Sequence, residues 1–260
     1  PRHDSGHVMR CSVAGYPVRG PALWRVGGFQ PLQMPGCVLW MRADLGITLI
    51  SGAGSGWANQ ASTGGSATQG TALSRPTWNA TGFGTNSRPY FSFDGSNDYM
   101  DLTGLGAIGS AYGFFAAVRY RSYVTSDCIA SVVDGVSADY NSNSTAVFGH
   151  VSVGTTLEHY VNGARGNATR PTANTAAILS CQQQQGKSDV YVNGTAGSQG
   201  SLTASLTAAT LRIGARSIPG ASNYSRVDIA ELILCVGALS TATIAAIHRY
   251  LGGYHGVTVA

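Results

Sequence analysis

Asp94, Asn97, Asp98 and Asp101 place four hard oxygen donors within eight residues. Calcium accepts about six to eight oxygens from loops of this kind. The order nevertheless lacks the Asp-x-Asp-x-Asp-Gly run of an EF-hand loop. The same residues are also what a tight connection between antiparallel strands needs, since Asp94-Gly95 and Asn97-Asp98 supply positive φ and side-chain bonds to the backbone. Turn chemistry is therefore the first reading and calcium the second. Glutamate occurs only as Glu158 and Glu231. Glycoside hydrolysis needs two carboxylates about 5–5.5 Å apart for retention, or wider apart for inversion. Asp228 and Glu231 stand three apart on an expected strand, which should send them to opposite faces. Gly104-Leu105-Gly106-Ala107-Ile108-Gly109 matches a dinucleotide fingerprint by letter, but no helix is expected to follow it. A Gly-x-Ser-x-Gly elbow is absent from the sequence. His3 with His7, and His248 with His255, are expected to be exposed rather than metal-bound. The expectation is a protein that is not an enzyme and has no cofactor, with calcium as the one candidate ion.

Aromatic side chains offer a different chemistry. Tyr112, Tyr120, Tyr123, Tyr140, Tyr160 and Tyr224, with Trp57 and Trp78 in expected loops, present ring faces on which a sugar can stack. Most of these rings should serve the core or strand pairing. Trp57, Asn59, Trp78, Tyr140 and Tyr224 are the candidates for a glycan site, pairing ring faces with an amide that can hydrogen-bond hydroxyls.

Composition sets the background for these sites. The chain has 260 residues, 11% of them charged, and 35 glycines, which suits short strands joined by tight turns. Lys187 is the only lysine, so the net charge of +4 comes from arginine. No dense basic run appears, which argues against nucleic acid as a partner. Cys11, Cys37, Cys128, Cys181 and Cys235 are widely spaced with no Cys-x-x-Cys, against a zinc or redox motif. Cys128, Cys181 and Cys235 lie in apolar runs and are expected to be buried thiols. The longest apolar runs are too short for membrane insertion, and the start has no apolar signal region.

Residues 1–36 hold five of the nine prolines, together with Arg2, Arg10, Arg19 and Arg25. Such a stretch makes a poor helix and a poor central strand. We expect an extended assembly arm that docks on another subunit through Arg19, Trp24, Arg25, Phe29 and Leu32. Residues 37–260 are expected to form one domain. Strands are expected near 90–94, 98–103, 113–121, 128–133, 145–153, 157–162, 176–182, 188–193, 209–215 and 228–236, while 51–88 reads as long loops. Ser240 can cap a closing helix carrying Ile244, Ile247 and Leu251 on one face, with Gly252-Gly253 ending it.

The run Phe93-Asp94-Gly95-Ser96-Asn97-Asp98-Tyr99-Met100-Asp101-Leu102, with Asp189-Val190-Tyr191-Val192-Asn193-Gly194 downstream, resembles the laminin-G-like and concanavalin-A-like superfamily. Leu39-Trp40-Met41-Arg42-Ala43-Asp44, Trp57-Ala58-Asn59-Gln60, Arg75-Pro76 and the closing helix are similar to its bacterial and phage members, over roughly 36–256. Asn59 stands where an aspartate is common in that group, removing a possible anion. The resemblance implies an all-β, antiparallel two-sheet jelly-roll sandwich, with a short C-terminal helix and an extended N-terminal arm. It also implies a place in a virion or outside the cell: first, a non-enzymatic phage surface component assembled with other subunits through the arm; as the alternative, a binder of cell-surface glycan, with or without calcium; and third, a glycoside hydrolase. Its glucanase members carry Glu-x-Asp-x-x-Glu on one strand, which this chain lacks.

Overall fold

A computed structural model describes residues 29–61, 64–133, 146–151, 155–161, 164–184, 186–202, 204–207, 210–216 and 223–260. The strands are β1 Cys37–Arg42, β2 Ile47–Ile50, β3 Ala53–Ala58, β4 Ser66–Thr68, β5 Thr77–Phe83 and β6 Arg88–Ser92. They continue as β7 Met100–Thr103, β8 Tyr112–Tyr120, β9 Ala130–Val133, β10 Ala146–Val151, β11 Thr156–Val161 and β12 Ala164–Thr169. The last six are β13 Ala177–Gln184, β14 Lys187–Val192, β15 Thr195–Ala196, β16 Gly200–Ser201, β17 Thr210–Ile213 and β18 Val227–Val236. One helix, α1, spans Thr241–His255.

All pairings between these strands are antiparallel, and they fall into two layers. In one, β18 takes β1 and β6 on one edge and β8 on the other, and β8 continues through β13 to β14. In the other, the order is β4, β7, β17, β9, β10, β11 and β12. The hairpins of β2, β3 and β5 join the two at one corner. Phe114 of β8 stacks on Phe148 of β10 at 4.3 Å, so the layers meet face to face around the larger core. A second core lies between the outer face of β1, β8, β13 and β18 and the helix. This explains why β8 reads Tyr-Gly-Phe-Phe-Ala-Ala-Val with no polar alternation: Phe114, Ala116 and Val118 face one core, while Phe115 and Ala117 face the other.

Four local expectations differ from the structure. The 51–88 region holds β3, β4 and β5 rather than long loops alone. Its glycines mark close approach, for a Cβ on Gly54 would run into the Phe91 ring. Asp228 and Glu231 share a face, because the pairing of β18 with β8 shifts between Ile229 and Glu231. The extra residue, Ala230, is a bulge that resets the alternation. Ser240 caps α1 by accepting the Thr243 amide at 3.1 Å, but the helix runs through Gly252 and stops at Gly256, at φ 68°. His248 and His255 are buried on its inner face rather than exposed.

Residues 29–36 stay with their own domain. Phe29 packs on Tyr250, with ring centres 5.6 Å apart, and Met34 is buried in the second core. Leu32 is 51% exposed. Arg19, Trp24 and Arg25 lie outside the described residues.

Candidate functional site

The Asp94 turn leads from β6 to β7. The Asp94 carboxylate accepts the amides of Ser96 at 2.7 Å, Asn97 at 3.2 Å and Asp98 at 3.4 Å. Asp98 in return accepts the Asp94 amide at 2.9 Å. Gly95, at φ 81°, lets the turn press on Arg226, since a Cβ there would sit 3.0 Å from the arginine Cβ. Asp94 and Asp98 thus carry the hydrogen bonds of the turn. Asp101 lies on β7, where both its oxygens accept from Arg212 at 2.8 Å. Among the described residues no group of three or more His, Cys, Asp and Glu side chains is placed to hold a metal.

The turn forms one wall of a cleft of about 660 Å³. Asp94, Ser96, Val124, Asp127, Tyr224 and Arg226 give it its chemistry. Asp127 is 2% exposed and accepts the Val124 amide at 3.1 Å. Burial pushes its carboxyl up to about 6, and the same cause raises Asp98 to about 6. Ser225 accepts the Cys128 amide at 2.6 Å, which fixes the Tyr224 segment beside Asp127. Behind Tyr224 lies Tyr99, 6.3 Å away between ring centres, and the Arg212 guanidinium sits 4.5 Å over the Tyr99 ring. The Tyr224 ring is thus backed by a ring, a cation and the Asp101 carboxylate. The cleft presents an aromatic wall, a desolvated acceptor, short hydroxyls and an exposed cation at the rim.

Of the sequence candidates, Tyr224 and Asp94 meet here, with Asp98 and Asp101 directly behind. Trp57 is buried in the larger core, its ring centre 4.8 Å from Phe91. Asn59 staples loops, its Oδ1 accepting the Trp40 amide at 2.9 Å and its Nδ2 donating to the Val38 carbonyl at 2.9 Å. Trp78 donates its indole N–H to the Ala43 carbonyl at 2.8 Å and packs against the core. Tyr140 lies outside the described residues. Sequence reading missed Asp127, Arg226 and the backing pair Tyr99 and Arg212. Asp127 sits in the unremarkable run Ser126-Asp127-Cys128 and carries no spacing signal.

Neither glutamate lines the cleft. Glu158 contacts His150 at 3.4 Å and Arg165 at 3.2 Å. Glu231 is fully buried beneath α1, accepting from the Trp40 indole at 2.7 Å and the Tyr250 hydroxyl at 2.8 Å, with His255 Nε2 2.8 Å away.

No family model and no curated protein matches the chain. Solved structures do share its architecture. Domain 4 of AbnA, an extracellular GH43 arabinanase from Geobacillus stearothermophilus solved with arabinotriose, aligns over 82% of this chain and 98% of its own, with a TM-score of 0.56 and 13% identity. The Trypanosoma rangeli sialidase solved with sialic acid aligns over 86% of this chain and 34% of its own (TM-score 0.56, 12% identity). The botulinum neurotoxin type G receptor-binding domain aligns over 82% and 51% (TM-score 0.53, 11% identity), so the chain spans about half the length of that domain. At such identities the likeness is one of fold: an antiparallel β-sandwich of the jelly-roll kind.

Proposed function

We propose that this chain is a glycan-binding β-sandwich module that holds a sugar against Tyr224 in the cleft and performs no turnover there. The observation that carries this reading is the pairing of a braced aromatic wall with a buried, incompletely neutralised carboxylate in an open cleft of sugar-sized volume. A recognition pocket joins an apolar face to a few fixed polar groups in this way, and carboxylates held at a desolvation cost cluster at functional sites. A shared fold does not by itself carry a function. Still, a sandwich of this shape is found in an arabinanase domain solved with arabinotriose, and 34% of the chain of a sialidase solved with sialic acid aligns with it. Binding at one such cleft would be weak, and repetition of the module would raise avidity through effective concentration.

The assembly reading, a bacteriophage surface component or other extracellular subunit, draws on the N-terminal segment, the low charge of the chain, the lack of a catalytic motif in the sequence and the family resemblance. Residues 1–28 lie outside the described residues, and residues 29–36 pack on their own domain. A glycan array with the purified chain, run with and without chelator, tests the proposal. Binding to a defined sugar class that Tyr224→Ala abolishes supports it, and binding that survives chelation removes calcium from it.

A further inference from the structure

Cys37 opens β1 and Cys235 stands directly opposite it near the end of β18. The Val236 amide donates to the Gly36 carbonyl at 2.8 Å. That bond joins the residue after Cys235 to the residue before Cys37, which makes the two cysteines a non-hydrogen-bonded antiparallel pair. Pairs of this type bring their Cα atoms to about 4.5 Å and their side chains closest together. This lies inside the span of about 4.4–6.8 Å that a disulfide bridges. Both side chains lie on the helix side of the sheet, Cys235 within the second core and Cys37 against it. Both thiols are free.

We propose that Cys37 and Cys235 form a thiol pair that closes into a reversible cross-strand disulfide on meeting a low-molecular-weight disulfide, tying the first strand of the sandwich to the last. The two sulfurs are unequal in a way that suits this chemistry. Cys37 is partly exposed, whereas Cys235 is fully buried. The hydrogen bond from the Cys235 thiol holds Cys37 below its usual range, while the same contact, followed by burial, pushes Cys235 up. Cys37 is therefore the attacking thiolate. It displaces one thiolate from the small disulfide and forms a mixed disulfide on its own sulfur. Cys235 then loses its proton to the departing thiolate and attacks the Cys37 sulfur. The second small thiol leaves, so that two electrons pass from the protein to the oxidant.

The bond would lie at the root of the N-terminal segment and five residues ahead of the Ser240 cap. A load entering through residue 36 would then fall on a covalent link instead of the hydrogen bonds of β1. Compartments outside the cytosol supply such an oxidant.

The test treats the full chain with glutathione disulfide, blocks remaining thiols and maps tryptic peptides. The expected product links the peptide of residues 26–42 to that of 227–249, with loss of two thiols per chain. Melting should rise by about 5–10 °C on oxidation, fall back with dithiothreitol, and show no such rise in Cys37→Ala. A glutathione adduct that persists on Cys37, unchanged thiol content, or a link from Cys37 to Cys11 would overturn the proposal. The peptide map on the unaltered chain decides the question even where the variant fails to fold.

Discussion

Asp127 shows what a single residue costs and what the cost implies. Its carboxyl titrates near 6 because burial disfavours the charged form. Between about pH 4, where the unfolded carboxylate titrates, and pH 6 the folded state binds the extra proton, so stability falls as pH rises through this window and is flat above it. Asp127→Asn removes that penalty and keeps an acceptor for the Val124 amide. It should raise stability by about 1–3 kcal/mol above pH 6, read by urea melts at pH 7, with little change at pH 4. Sugar affinity should move the opposite way, falling in the variant at pH 7 and in the unaltered chain as pH drops below 6. Equal affinity of both proteins would remove Asp127 from the site. Tyr224→Ala should lower sugar affinity by about tenfold or more while shifting the melting temperature by less than about 3 °C, since the ring is only partly buried.

Among the elements, α1 and β18 carry the plainest lesson on what a sequence discloses. The helix, its Ser240 cap and its apolar face were legible because period and capping residue agree locally. The partner of that face was not. Glu231 looks like an isolated acid in sequence, yet it receives Trp40 from β1 and both Tyr250 and His255 from α1, clamping helix to sheet. Its orientation toward the helix depends on the Ala230 bulge, and one extra residue in a strand leaves no mark in a period-two pattern. Glu231→Ala should strand the buried Trp40 and His255 and the half-buried Tyr250, and cost about 3–5 kcal/mol, seen as a drop in melting temperature of roughly 10 °C. A drop of under about 2 °C would mean the clamp contributes little. Similarly, β3 to β5 escaped notice because Gly54 and its neighbours read as loop, although the glycine is there to admit the Phe91 ring.

For the molecule as a whole, the sandwich was readable from short apolar runs punctuated by turn residues, and the solved neighbours share that architecture. The cleft was only half readable. Asp94 and Tyr224 could be singled out, but their meeting depends on segments 130 residues apart that the sheet order folds together. The N-terminal segment divides in the same spirit. Removing residues 1–28 should leave the melting temperature nearly unchanged, whereas removal through 36 should lower it by several degrees, since Phe29 and Met34 go with it. Comparable losses from both truncations would show that residues 1–28 also belong to the domain. Sugar binding at the Tyr224 cleft is open to titration calorimetry with the best glycan from an array, on the unaltered chain and on Tyr224→Ala. The unaltered chain should give a saturable isotherm that is lost or weakened about tenfold in the folded variant. An isotherm indifferent to Tyr224, or no glycan bound at any concentration, would contradict it.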